Sequence, residues 1–376
     1  MFDVILALTI SFAVSFLAIP VIIRVAAMKK LFDIPDERKV HQSPIPSLGG
    51  LGIFAGFAFA TLLIANFSQG TDIQYFLAAA VVIFYLGLKD DILIISPLKK
   101  FIGQVLAAFI IIYMGNLQIH SMHGFLGIYS MPESFSLLFS YLTVIVIINS
   151  FNLIDGVDGL AGSLGLLSTA VFGIYFVSVG QIADAVLAFS MAGSILAFLI
   201  FNFQPARIFM GDTGSMLIGL ISAVLVIKFI NTAGSTETSL PIAAAPAVGF
   251  AILMVPLLDT LRVFGIRIFQ RRSPFSPDRN HIHHLLLDNG MNHRNIAISL
   301  LSFNVLAIGL AFLMRNLGST LLMAVIFSIF FSAIGVMYYL RQRRTPRMFV
   351  TSVNDVKNGT AKKVVPLTED AVLQQK

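Results

Sequence analysis

The chain has 376 residues, of which 57% are hydrophobic and only 12% charged, and its mean hydropathy is +0.88. That composition excludes a soluble globular domain and defines an all-α polytopic membrane protein. Cysteine is absent, which rules out disulfides and thiolate chemistry. The net charge of +6 resides at helix ends and in a tail, without the basic stripe or stacking platform that nucleic acid requires, so nucleic acid is not expected as a partner.

In chain order, apolar runs near 4–23, 48–65, 73–88, 98–115, 135–150, 160–179, 183–203, 214–230, 242–261, 296–314 and 319–340 predict about eleven transmembrane helices. The first run has neither a basic leading segment nor an A-x-A-like cleavage site, so it is expected to be retained as a span. Sorting the 25 Lys and Arg by alternate loops puts all but Lys228 and Arg315 on the side of the C-terminus. The positive-inside rule then makes that side cytoplasmic and the N-terminus external. Residues 1–340 read as one membrane domain. Residues 341–376 read as a basic juxtamembrane and disordered cytoplasmic tail, with Arg341, Arg343, Arg344 and Arg347 able to rest on anionic lipid.

With this orientation the chemically active side chains fall on one face. Between two apolar runs lies NSFNLIDGVDGLAG, Asn149 to Gly162, in which Asn149, Asn152, Asp155 and Asp158 recur every third residue. On a helical or 3₁₀ turn this spacing lines amides and carboxylates along one edge, and Gly156 and Gly159 are expected to leave backbone N–H groups open to a ligand. The third run ends in Lys89-Asp90-Asp91, whose adjacent carboxylates diverge by roughly 100° on a helix and so serve different purposes. Asp212 lies in MGDTGS, where it or Thr213 is a candidate N-cap of the eighth span. Taken together, five carboxylates on one face suggest a divalent metal and an anionic ligand. Hard oxygen donors without cysteine favour Mg²⁺ or Mn²⁺.

In the last long loop, SPDRNHIHHLL reads as a short amphipathic helix with Ser276 as N-cap, Pro277 at the first position and Asn289-Gly290 as the stop. Ile282, Leu285 and Leu286 share its apolar face, and His281, His284 and Asp288 are expected together on another. Imidazoles and Arg279 here suit phosphate or sugar contacts better than zinc, because the spacing is not H-E-x-x-H. Further upstream, Pro256 and Gly265 are expected to bend the ninth span into a broken helix beside a lipid groove, with Asp259 and Arg262 pairing at i,i+3.

NLIDGVDGLAG, the LKDD end of the third span, IFMGDTGS and SPFSPDRNHIHHLL together resemble the polyprenyl-phosphate N-acetylhexosamine-1-phosphate transferase family over the first ten spans. The His-Ile-His-His run, in place of three consecutive histidines, is more similar to members using an amino-sugar donor than to those using a MurNAc-pentapeptide. The resemblance implies transfer of an N-acetylhexosamine 1-phosphate, GlcNAc-1-phosphate first, from a UDP-sugar to undecaprenyl phosphate in a bacterial inner membrane. It further implies Mg²⁺ on Asp212 with Asp91, and service of Asp90 and Asp91 to the metal and lipid phosphate. By the same likeness Asn152, Asp155 and Asp158 hold the uridine region, while Lys100, Arg267, Arg279, His281, His283 and His284 contact the phosphates and sugar. His41, Pro46 and Gly49-Gly50 match a first-loop motif. Another UDP-N-acetyl sugar remains open as donor, and a homodimer as assembly. A transporter is one rival class, although acids at helix ends and the lack of an internal repeat speak against it, and a non-catalytic nucleotide-sugar or lipid binder is another.

Overall fold

The computed structural model describes residues 1–31, 45–65, 72–93, 95–271 and 280–344. The chain is a helical, multi-pass membrane protein. It begins with α1 (Phe2–Lys29), α2 (Gly49–Ile64), α3 (Ile73–Leu93) and α4 (Pro97–Phe109), the last continuing into a π-helical turn at Ile110–Met114. After a short hairpin of β1 (Ser121–Phe125) and β2 (Ile128–Ser130) come α5 (Glu133–Ile154), α6 (Leu160–Ser178), α7 (Ile182–Asn202) and α8 (Gly211–Ala233). The remainder is α9 (Ala245–Ile252), α10 (Met254–Phe269), α11 (Ile282–Asp288), α12 (His293–Leu313) and α13 (Ser319–Arg344). Every expected span coincides with one of these helices or with the α9–α10 pair. Eight described helices are long and apolar enough to cross a membrane, or nine with the bent pair as one span, and α2 is a shorter apolar helix. The antiparallel hairpin departs from an all-α expectation; Leu126 and Gly127, at φ 51° and 78°, turn the chain between strands too short to have stood out.

The bundle is built around α8, which is apolar on every side and buried along nearly its whole length. It packs against α2, α3, α5, α6, α7 and α9, whereas α1 and α13 lie at the periphery. Small residues permit the close approaches: a Cβ on Gly87 of α3 would fall 2.6 Å from the Thr213 amide nitrogen, and one on Gly50 of α2 would fall 2.8 Å from the Gly214 Cα. These two contacts draw the ends of α2 and α3 onto the first turn of α8, where Asp212 stands. At the opposite end of α8, Lys228 joins Asp184 at 3.2 Å and Asp72 at 3.6 Å, tying α8 to the starts of α7 and α3.

The ninth apolar run is broken, with α9 and α10 meeting at 85°. The break falls at Leu253 and not at Gly265, which lies inside α10. Pro256 explains the position, since a proline cannot donate to the carbonyl four residues back, that of Ile252. Asn304 of α12 satisfies the backbone groups that the break frees: its Nδ2 donates to the Ile252 carbonyl (3.0 Å) and its Oδ1 accepts from the Val255 amide (3.1 Å).

Candidate functional site

Four helix ends converge at one end of the bundle. At the last turn of α3, Asp90 accepts from the Ile95 amide (2.7 Å) and pairs with the Lys100 ammonium (2.6 Å) at the start of α4. Lys100 also donates to Asp212 Oδ2, so one cation joins two carboxylates that lie far apart in sequence. Its neighbour Lys99 is exposed. From α5, Asn152 Nδ2 donates to Asp212 Oδ1 and to the Ser215 hydroxyl, both at 3.0 Å.

Asp91 has a different task, as its divergence from Asp90 implied. Its Oδ1 accepts from the Asp212 amide (2.8 Å), and its Oδ2 accepts from the Thr213 amide (3.1 Å) and hydroxyl (2.5 Å). A carboxylate from α3 therefore caps α8 and neutralises the exposed N–H groups of its first turn. Neither Asp212 nor Thr213 is the N-cap: the cap position is Met210, and both residues lie within the helix.

The Asn149 to Gly162 stretch is less regular than its spacing suggested. α5 ends at Ile154, so only Asn149 and Asn152 share a helical edge, and Asn149 turns to Gln104 of α4 (2.8 Å). The Gly156 and Gly159 amides are not open. Gly156 N–H donates to the Ile154 carbonyl (2.8 Å) and Gly159 N–H to Asn202 Oδ1 (2.9 Å), because the sharp turn consumes its own donors and those near it. Asp155 is half-buried at this turn. Burial, followed by the charges of Asp212, Asp91 and Asp158, pushes its carboxyl up to about 8. Near neutral pH Asp155 is therefore largely protonated, held so by its burial and by the acids around it.

Histidines close the other side. α11 begins at Ile282 with His281 as its cap residue; Ser276, Pro277 and Arg279 lie outside the described residues. The stop at Asn289-Gly290 is as expected, with Gly290 at φ 82°. Ile282, Leu285 and Leu286 are buried; His281, His284 and Asp288 each meet a different neighbour. His281 Nδ1 meets Asp259 Oδ2 (2.8 Å), Asp288 pairs with Arg341 of α13 (3.0 Å), and His284 packs against His283 with ring centroids 4.3 Å apart. The His281 and His283 rings lie parallel at 5.7 Å. His283 is buried against Gly156, where a Cβ would fall 2.5 Å from its Nε2, and among the described residues its Nδ1 has no hydrogen-bond partner. Burial and the adjacent His284 push this imidazole down to about 3, so it is neutral near pH 7. Arg267 is buried on α10, its guanidinium 5.8 Å from the Phe264 ring centre.

One participant escaped the sequence reading. His293, at the start of α12, meets Asp158 through Nδ1 (3.2 Å) and holds the turn after Asp155. No local spacing marked it. The first-loop motif gains a role as well: the Pro46 carbonyl accepts from the Phe209 amide (2.8 Å), and the Gly49 and Gly50 amides donate to the Phe209 and Met210 carbonyls (both 2.9 Å), bracing the segment that leads into Asp212. His41 lies outside the described residues. Among the described residues, no three His, Asp or Glu side chains converge as a ready-made metal cage.

Acids, a lysine and histidines gathered at the helix ends of a membrane bundle define a membrane-embedded protein built to handle charged groups at a membrane surface. Residues 73–230 match glycosyl transferase family 4. The chain is 34% identical to the decaprenyl-phosphate N-acetylglucosaminephosphotransferase of Mycobacterium leprae (strain TN), over 78% of this chain and 80% of that protein. It is 33% identical to the undecaprenyl-phosphate alpha-N-acetylglucosaminyl 1-phosphate transferase of Escherichia coli (strain K12), over 72% and 73%. The chain belongs to glycosyl transferase family 4.

Proposed function

We propose that this protein transfers GlcNAc 1-phosphate from UDP-GlcNAc to a polyprenyl phosphate, undecaprenyl phosphate in particular, at the cytoplasmic face of a bacterial inner membrane. The product is a polyprenyl-diphosphate sugar that initiates a cell-envelope polysaccharide. The names of the similar mycobacterial and E. coli proteins support the reaction class. The observation that carries it to this chain is Lys100 held between Asp90 and Asp212, beside Asn152. An eleven-span, N-out topology places this end of the bundle in the cytoplasm.

A polyprenyl phosphate with a second pKa near 6 is largely dianionic at neutral pH, so the obstacle is repulsion between two anions and not a missing base. An oxygen of the lipid phosphate attacks the sugar-linked phosphorus directly. The new P–O bond forms as the bond to UMP breaks, and UMP leaves with the electron pair. Lys100 and the histidines stabilise charge on the phosphates, and Asn152, Asp155 and Asp158 orient the nucleotide end. Asp90, facing Lys100, takes any residual proton from the lipid phosphate.

The donor set fits Mg²⁺: the oxygens are hard, the Asp155 carboxyl lies close enough to Asp212, Asp91 and Asp158 to feel their charge, and Mg²⁺ characteristically takes one or two carboxylates and completes its shell with water and substrate phosphates. Asp212 would hold it; Asp91 would join by releasing one bond to the first turn of α8. Bound there, Mg²⁺ would supply charge neutralisation of the diphosphate.

The test is UMP release by purified protein in detergent, with UDP-GlcNAc or UDP-GalNAc, with and without undecaprenyl phosphate, in Mg²⁺ or EDTA. UMP appearing from UDP-GlcNAc only when both lipid and metal are present is expected. No UMP from either donor, together with no UDP binding, overturns the reading.

A further inference from the structure

Asp259 is a buried carboxylate, 1% exposed, on α10 just beyond the broken point of the span. Its two oxygens meet three donors: Oδ2 meets His281 Nδ1 at 2.8 Å, and Oδ1 accepts from the Ile282 amide and from Arg262 Nη2, each at 2.9 Å. Arg262 extends the frame by donating to the Asn280 carbonyl and to the Tyr338 hydroxyl of α13 (3.3 Å). The i,i+3 pair of Asp259 and Arg262 is therefore present, but it forms part of a larger device. The carboxylate caps α11 from outside, since the cap residue His281 makes no side-chain cap bond of its own.

The same carboxylate also settles which nitrogen of His281 carries hydrogen. A buried carboxylate in an ion pair only accepts, so the hydrogen between it and the ring resides on Nδ1. Nε2 is left as the working nitrogen. The ring is parallel to that of His283, which abuts Gly156 beside Asp155, so the orientation of His281 passes to the acidic turn through two stacked imidazoles.

We propose that Asp259 is a positioning residue for the transfer reaction: from the α10 side of the broken span it fixes the tautomer and ring orientation of His281 and the start of α11, so that Nε2 of His281 faces the donor diphosphate. This rests on the reading of the preceding subsection. Asp259 itself touches no substrate. Its effect passes through His281, which sets it apart from a merely structural ion pair.

A double-mutant cycle tests this. Asp259→Asn is expected to lower kcat/KM about 10–100-fold, the range found when the group orienting a functional histidine is removed. His281→Ala should cost a similar factor, and the double variant no more than the worse single one. If Asp259→Asn folds poorly because Arg262 is left unpaired, His281→Asn serves instead. Its amide can still bond Asp259 but offers nothing in place of Nε2, so a loss of turnover with an unchanged Tm in detergent is expected. Additive losses, or wild-type turnover in either Asp259→Asn or His281→Asn, overturn the proposal. A direct readout needs no activity: ¹⁵N-histidine NMR should show His281 protonated at Nδ1 in the wild type and shifted toward Nε2–H in Asp259→Asn. An Nε2–H tautomer in the wild type overturns the inference even where UMP release succeeds; the Nδ1–H tautomer with no UMP release from any donor faults the proposed reaction instead.

Discussion

Replacing Lys100 with Met isolates the cation at the centre of the site while keeping much of its aliphatic length. Lys100 sits 2.6 Å from Asp90 Oδ2 and hydrogen-bonds Asp212 Oδ2, with side-chain exposures of 26%, 12% and 26% for the three residues. Opposite charges about 4 Å apart attract by about 4 kcal/mol at an effective dielectric near 20. Partial exposure reduces that to roughly 2 kcal/mol per contact. Two contacts give roughly 4 kcal/mol, which at about 1.4 kcal/mol per tenfold corresponds to on the order of 10³ in rate if Lys100 turns the same charge toward substrate phosphates. In the UMP-release assay, Lys100→Met is expected to lose about 10²–10³ in kcat/KM. Lys100→Arg should recover part of it, since the charge returns in a differently shaped head. Turnover of Lys100→Met within threefold of wild type, at every concentration of Mg²⁺, would refute the electrostatic account.

Three further outcomes follow from the same geometry. Asp212→Asn should insert and fold with its Asn152 contact largely kept, yet lose Mg²⁺-dependent turnover by at least about 10²-fold; near-normal UMP release would remove Asp212 from the chemistry. Gly87→Val should push α3 away from the Thr213 backbone and cost about 1–3 kcal/mol by overpacking, read as a lower Tm in detergent together with a loss of turnover, because Asp90 and Asp91 move with α3. The folded-state pKa of His283 lies near 3, below the 6.5 of an ordinary histidine. Its neutral form therefore contributes stability that is complete above pH 6.5 and is lost as pH falls from there toward about 3. His283→Gln should flatten the decline in Tm between pH 6.5 and 4; an unchanged pH dependence would contradict the burial of His283 against Gly156.

Apolar runs fix where helices stand, because a bilayer forces each spanning segment to satisfy its own backbone. Asp90 and Asp91 were separable in sequence for a similarly local reason, the fixed angle between adjacent helical residues. The His-Ile-His-His run singled out α11 through its residue types alone. Spacing misled where backbone geometry departs from a uniform helix. α5 stops at Ile154, so the edge drawn through Asn149, Asn152, Asp155 and Asp158 is broken, and the glycine amides thought to be open are bonded to Ile154 and Asn202.

By itself, then, the sequence determined the membrane class, the positions of the spans and the set of acids, amides and imidazoles available for chemistry, since these depend on composition and local periodicity. Only the tertiary structure decided their pairing. Lys100 bridges helices α3 and α8, Asp91 caps a helix from another, Asp259 holds His281, and His293 holds Asp158. Apart from Lys100 with Asp90, each of these contacts joins residues distant in the chain. Their geometry is set by how closely α2, α3 and α8 approach at Gly50 and Gly87, a feature of packing that no local pattern encodes, together with the break that Pro256 puts into the ninth span.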